Sequence, residues 1–229
     1  MSATAILEGR DAAPGADPHQ LGHRDSGLQD ASAAPGRGKG GPAPKRIIVG
    51  YGFWIFLLSD IVMFAAFFAA FAVLMDATAG GPKGSEIFDL KNVAIETLCL
   101  LFSSFTCGLA SISLQARRMA LFQAAMAATF VLGAAFLFLE LKEFADLILR
   151  DAGPGRSAFL SAFFALVGCH GLHVTVGLLW LLTMMAQVFA KGDRPDIGRR
   201  VQCFALFWHA LDIVWVGVLT VVYLLGSAA

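Results

Sequence analysis

Charge is scarce in this chain. Only 15% of its 229 residues are charged and 57% are hydrophobic, whereas about a quarter of the residues of a soluble domain carry charge. That shortage excludes an ordinary soluble domain. Neither sign prevails, with Lys+Arg 17 against Asp+Glu 17. No basic stripe is interleaved with aromatics, so nothing points to a nucleic-acid partner. Cysteine is scarce too. Cys99, Cys107, Cys169 and Cys203 all fall in apolar stretches, and none forms a CxxC or another metal-ligand spacing. They read as small buried apolar residues. A Gly-rich phosphate loop, a nucleophile elbow and an activated Ser/His/Asp order are also missing. Nothing in the chain looks like an active site.

Residues 1–44 lack Phe, Tyr and Trp altogether, are rich in Ala, Gly, Pro and Asp, and lead into GRGKGGPAPKR. Such a segment buries too little apolar surface to offset its chain entropy, so a disordered, solvated tail is expected. It has no apolar core before a small-residue cleavage site, which argues against a secretory signal.

What is abundant is long apolar sequence. About twenty apolar residues cross a bilayer as a helix, and five stretches qualify: about 47–75, 93–114, 121–145, 157–189 and 201–225. In lipid these must be helices, because an open sheet would leave backbone groups unpaired. The expected fold is therefore all-α, a bundle of five transmembrane helices over 45–229. The short connector QARRMA makes the second and third an antiparallel hairpin. Basic residues crowd the tail side, among them Arg37, Lys39, Arg117, Arg118, Arg199 and Arg200. The other side has only Lys83, Lys91, Lys142, Arg150 and Arg156. This asymmetry places the N-terminus in the cytoplasm and, with five spans, the C-terminus in the periplasm. Ala66/Ala70 and Ala124/Ala128 have helix-packing spacing, although alanine is common throughout.

Eight ionisable side chains interrupt these stretches: Asp60, Glu96, Glu140, Glu143, His170, His173, His209 and Asp212. Charge at bilayer depth is costly and marks groups with a role. A rise of 1.5 Å per residue puts Asp60 roughly 20 Å from the tail side, His209 roughly 13 Å and Asp212 roughly 18 Å. His173 lies near about 24 Å, and His170 and Glu140 near about 28 Å. Glu143 and Glu96 fall near the opposite surface. Glu140/Glu143, His170/His173 and His209/Asp212 are i,i+3 pairs, each on one helix face. The economical expectation is an inter-helix polar cluster of Asp60, Glu140, Glu143, His170, His173, His209 and Asp212, with lipid contact as a further role.

Sharper chemistry fits less well. Haem ligation needs two histidines at one depth on different helices, yet His209 and His173 differ by about 10 Å. A metal site needs three or four convergent ligands. Carboxylates and histidines do form proton relays, but no ionisable residue bridges the mid-membrane groups to the tail side, so a complete path is not evident. An independent proton-coupled transporter should show repeats and helices broken at mid-membrane. No repeat stands out, and Gly168, Gly171 and Gly177 are too scattered to argue a break.

The segments GFWIFLLSD (52–60), LELKEF (139–144), GCHGLHVTVG (168–177) and FWHALDIVW (207–215) together resemble subunit III of the haem-copper respiratory oxidases. The resemblance covers about residues 47–226. The histidine pair of HGLHV and the WHxxDxxW pattern carry it jointly. TAGGPKGSEIFDL (78–90) and RSAFLSAFFALVG (156–168) look most like the bacterial cytochrome bo-type ubiquinol oxidase. Five helices, against seven in the mitochondrial type, are similar to a normal short member.

The resemblance implies a non-catalytic subunit that carries no haem or copper and docks on subunit I, where those cofactors are expected, with subunits II and IV in the same complex. It also implies phospholipid held between helices and a place in the bacterial inner membrane. Asp60 falls where many cytochrome c oxidases have a carbodiimide-reactive glutamate, and Ser59-Asp60 keeps the acid on a shorter stem. Glu143, His170, His173, His209 and Asp212 match the family's polar positions. Subunit III of a cytochrome c oxidase has the same implied fold and is the nearest alternative.

Overall fold

The computed structural model describes residues 45–81, 84, 89–191 and 195–226. The tail expected over 1–44, part of the first loop and residues such as Lys83 and Arg194 lie outside the described residues. Five helices follow one another: α1 (Lys45–Leu74), α2 (Leu90–Gln115), α3 (Met119–Leu149), α4 (Ala158–Lys191) and α5 (Pro195–Val218). The last runs on through a π-helical segment, Leu219–Leu225. All five are long and apolar enough to cross a membrane, and there is no strand among the described residues.

The helices outrun the apolar stretches at several ends because their polar flanks also favour the helix. Asp89 caps α2 by accepting from the Lys91 amide at 3.0 Å, so that helix starts at Leu90 rather than near 93. Ser157 Oγ accepts from the Leu160 amide at 3.2 Å at the start of α4, a usual cap that satisfies an otherwise orphaned donor. Pro195 opens α5, where its missing N–H costs nothing. α2 and α3 both end by six-to-one closure: Arg118 N donates to Ser113 O and Ala152 N to Leu147 O, each at 3.0 Å. The left-handed residues that make those turns are Arg117 (φ 55°) and Asp151 (φ 57°), positions where glycine is the usual occupant.

α2 and α3 form the most extensive pair, as the short connector dictates. α4 packs on α3, α5 and α1, and α5 also reaches α2. Large aromatics fill the interior, including Phe71, Phe136, Phe163, Phe204, Trp208 and Trp215. Outward faces remain apolar: Tyr51, Val62, Val73, Phe105 and Ile213 are all exposed. Lipid tails are as apolar as leucine, so these faces carry no penalty in a membrane.

The same physics corrects two expectations. Only Cys107 is buried, while Cys99, Cys169 and Cys203 are half-buried; an apolar side chain that meets lipid has no need of the core. Ala66, Ala70 and Ala124 are exposed and Ala128 is half-buried, so neither alanine pair lies in a buried seam. Close approach occurs at glycines instead. The Trp208 ring lies where a Cβ on Gly133 or Gly177 would sit, at 2.9 and 2.8 Å. Among the tryptophans, Trp54 is exposed, whereas Trp215 is buried and Trp180 packs on Phe53, Phe204 and Phe207.

Candidate functional site

At the end of the bundle opposite the start of α1, α2 contributes Glu96, α3 contributes Glu140 and Glu143, and the π-helical segment contributes Tyr223. Glu96 and Glu140 are almost wholly buried. The three carboxyl groups lie within electrostatic reach of one another and of Tyr223. Tyr223 Oη donates to Glu143 Oε2 at 3.1 Å. The Glu140 carboxyl is seated against α4 at Gly171, where a Cβ would come within 2.6 Å of Oε1. The wider turn of a π-helical stretch alters which side chains face inward, and here Tyr223 is fully buried on the acidic group.

His170 lies next to this group, completely buried, and is enclosed by rings. Phe136 meets it edge-on at 5.8 Å, Trp215 lies 5.4 Å away and Phe64 6.4 Å. Its i+3 neighbour His173 also touches Phe64, at 5.2 Å, and its Nδ1 is 2.7 Å from the Cys169 carbonyl oxygen. Trp215 Nε1 donates to Thr97 Oγ1 at 3.0 Å, tying α5 to α2. Asp60 stands apart from the glutamates. It is half-buried and faces α5 beside Phe64, Phe207 and Leu211.

His209 and Asp212 occupy a third position, on the α2 side of α5. Ser104 Oγ and His209 Nδ1 share a hydrogen bond at 2.6 Å, and Asp212 Oδ2 lies 4.0 Å from the same nitrogen. The neighbouring Trp208 turns inward, donating from Nε1 to Ser103 Oγ at 2.9 Å, while Ser103 Oγ donates to the Thr129 carbonyl at 3.2 Å. Thr106 and Thr129 hydroxyls complete the α2–α3 link at 2.8 Å.

The seven candidate residues therefore fall into three pairs, with Asp60 apart from them, rather than into one cluster. Glu140 and Glu143 come together, His170 and His173 share Phe64, and His209 pairs with Asp212; Asp60 and Asp212 sit against different faces of α5. Sequence reasoning gave Glu96 no place in the cluster and passed over Thr97, Ser103, Ser104 and Tyr223. Their signal was a hydroxyl inside an apolar run, weak because such groups often satisfy themselves on their own helix, as Thr175 does on Gly171 O. Among the described residues, no group of three or more His, Cys, Asp or Glu side chains is arranged to hold a metal ion. The arrangement joins helices through paired polar groups and aromatic packing.

Residues 40–227 match the family described as cytochrome c oxidase subunit III. The cytochrome bo(3) ubiquinol oxidase subunit 3 of Pseudomonas aeruginosa is 47% identical over 212 residues, covering 93% of this chain and 95% of the relative. Its counterpart from Pseudomonas putida is 51% identical over 175 residues, 76% of this chain and 84% of the relative. A cytochrome c oxidase subunit 3 from a Bacillus species is 41% identical over 175 residues, again 76% and 84%.

Proposed function

The chain belongs to the cytochrome c oxidase subunit III family, and from that premise we propose that it is the non-catalytic third subunit of a bacterial ubiquinol oxidase. As subunit III of a haem-copper oxidase it forms a complex with subunit I. The observation that carries the choice of donor is the match to the Pseudomonas aeruginosa ubiquinol oxidase subunit along nearly the full length of both chains. In this reading subunit I holds the haem and copper, subunits II and IV complete the complex, and the site is the inner membrane with the tail in the cytoplasm. The complex oxidises ubiquinol, reduces dioxygen to water and moves protons outward. No bond is made or broken on this chain, which contributes shape and durability.

The polar groups support that role by fixing helix register: Tyr223 with Glu143, Trp215 with Thr97, Trp208 with Ser103, and Ser104 with His209. A bound phospholipid has a suitable place near the start of α1. A groove of about 630 Å³ is lined by Ile48, Phe53, Trp180 and Cys203 together with Arg199 and Arg200. Acyl chains suit the apolar wall, and a phosphate suits guanidinium groups. Arg200 is steadied there by donating to Gln187 Oε1 at 2.5 Å.

The second reading, a cytochrome c oxidase, is favoured by the Bacillus relative. Isolation of the chain from its native membrane in mild detergent separates them. The expected result is co-purification with a haem-bearing large subunit, visible in the reduced-minus-oxidised spectrum, and a second subunit without a copper-A centre. A copper-A centre moves the assignment to cytochrome c oxidase. A chain that comes away alone and colourless removes the subunit reading and turns attention to transport.

A further inference from the structure

At the end of the bundle opposite the start of α1, the carboxyl groups grade from water inward. Asp89 is exposed as the cap of α2. Glu143, about 9 Å in from the end of α3, is half-buried, and Glu96, about 9 Å in from the start of α2, is wholly buried. Glu140 lies deepest, about 14 Å in, and is 1% exposed. Glu143 is within electrostatic reach of Asp89, Glu96 of Glu143, and Glu140 of both other glutamates. Yet both oxygens of Glu96, Glu140 Oε2 and Glu143 Oε1 are buried without a hydrogen-bond partner, and so are both ring nitrogens of His170 beside them. Tyr223, donating to Glu143, closes the group from the π-helical segment. The nearby lysines, Lys91 and Lys142, are exposed.

A buried polar group without a partner is costly, and an unpaired buried charge far more so. Three carboxyls within reach of one another in such a place cannot all be ionised together. A metal ion does not resolve this, because no three acids or histidines among the described residues are arranged to hold one. Protons do. Each protonated carboxyl becomes a donor as well as an acceptor, and ordered water joins oxygens that do not touch. We propose that Glu96, Glu140 and Glu143 form a proton-binding site that exchanges, by way of Asp89, with the water outside that end of the bundle. In each exchange a proton leaves a hydronium ion in that water, rests on an Asp89 oxygen, and passes through bound water to the inner carboxyls; release is the reverse. Tyr223 holds Glu143 in the group, and His170 ends the chain, since the rings of Phe64, Phe136 and Trp215 enclose it. The three inner acids bind protons as a unit, in steps that belong to the group rather than to one residue. The site needs no haem, quinol or partner chain, so it goes beyond the subunit reading and does not rest on it.

Infrared spectroscopy of the protein purified in mild detergent, with whatever partners it retains, reads the site directly, because a protonated carboxyl has a carbonyl band apart from those of carboxylates. The difference between wild type and Glu140→Gln should contain such a band. It should grow as the pH is lowered from mildly alkaline to mildly acid, and shift in heavy water. Glu96→Gln, on another helix, gives the same reading where Glu140→Gln fails to accumulate. Asp89→Asn keeps a good N-cap but cannot carry the proton. It should leave the band in place and slow its shift after transfer to heavy water severalfold. No carboxyl band in either difference, or a band that pH does not change, overturns the site. An unchanged exchange rate in Asp89→Asn overturns the route. A band that instead follows sodium or calcium concentration at constant pH would assign the site to a metal ion and also overturn the proposal.

Discussion

At the scale of single residues, the inner polar groups are held by steric accommodation as much as by hydrogen bonds. Gly171 is the sharpest case, because Glu140 Oε1 occupies the space of its absent Cβ. Gly171→Ala should therefore cost about 1–3 kcal/mol, the usual range for overpacking. Gly198→Ala, with nothing within 4 Å of its Cβ, should leave the thermal midpoint of the purified complex unchanged or slightly raised. Equal midpoints for the two variants would show that the Glu140 seat is not rigid. Tyr223→Phe keeps the ring and deletes the donor to Glu143. A loss of about 1.5–3 kcal/mol is expected if the acceptor is charged and about half that if it is neutral, measured by the same melting experiment. The acids and histidines stood out in the sequence because charge in an apolar run is conspicuous. Tyr223 did not, because the π-helical turn that aims it at Glu143 leaves no mark in the residue pattern.

At the scale of helices, the apolar runs made α1 to α5 readable to within several residues, and the departures have local causes. Asp89, Ser157 and Pro195 extend helices by capping or by tolerating the first turn. The packing seam was less readable. Alanine spacing pointed to faces that turn outward, whereas the close approach is made by Gly133 and Gly177 around one indole. Sequence alone cannot tell a small residue at a seam from one facing lipid, since both environments are apolar. A double-mutant cycle tests the seam: Gly177→Ala should destabilise the wild-type bundle but cost much less beside Trp208→Leu, leaving a coupling of about 0.5–3 kcal/mol. Additivity would mean that the ring and the glycine are not in contact. The helix ends offer a gain as well. Asp151 adopts φ 57° at the end of α3, where a Cβ costs about 1–2 kcal/mol. Asp151→Gly should raise the melting temperature, with the greater freedom of glycine in the unfolded chain offsetting part of that gain.

At the scale of the whole molecule, subunit identity was legible because several motifs spread over the membrane part agree, and the family match spans residues 40–227. The arrangement of its polar groups was not. Depth along a helix is a linear reading of sequence, but azimuth around the bundle depends on how five helices pack, so Asp60 and Asp212 share a level while facing different ways. The role proposed for the chain is to sustain the oxidase without taking part in its chemistry. The most direct measurement of that role follows ubiquinol oxidation by complexes purified with and without this subunit, per haem, from the first turnovers until activity ceases. Equal initial rates and a shorter active lifetime are expected for the complex that lacks it. A large loss of initial rate per intact haem centre, or identical lifetimes, would contradict a purely sustaining role.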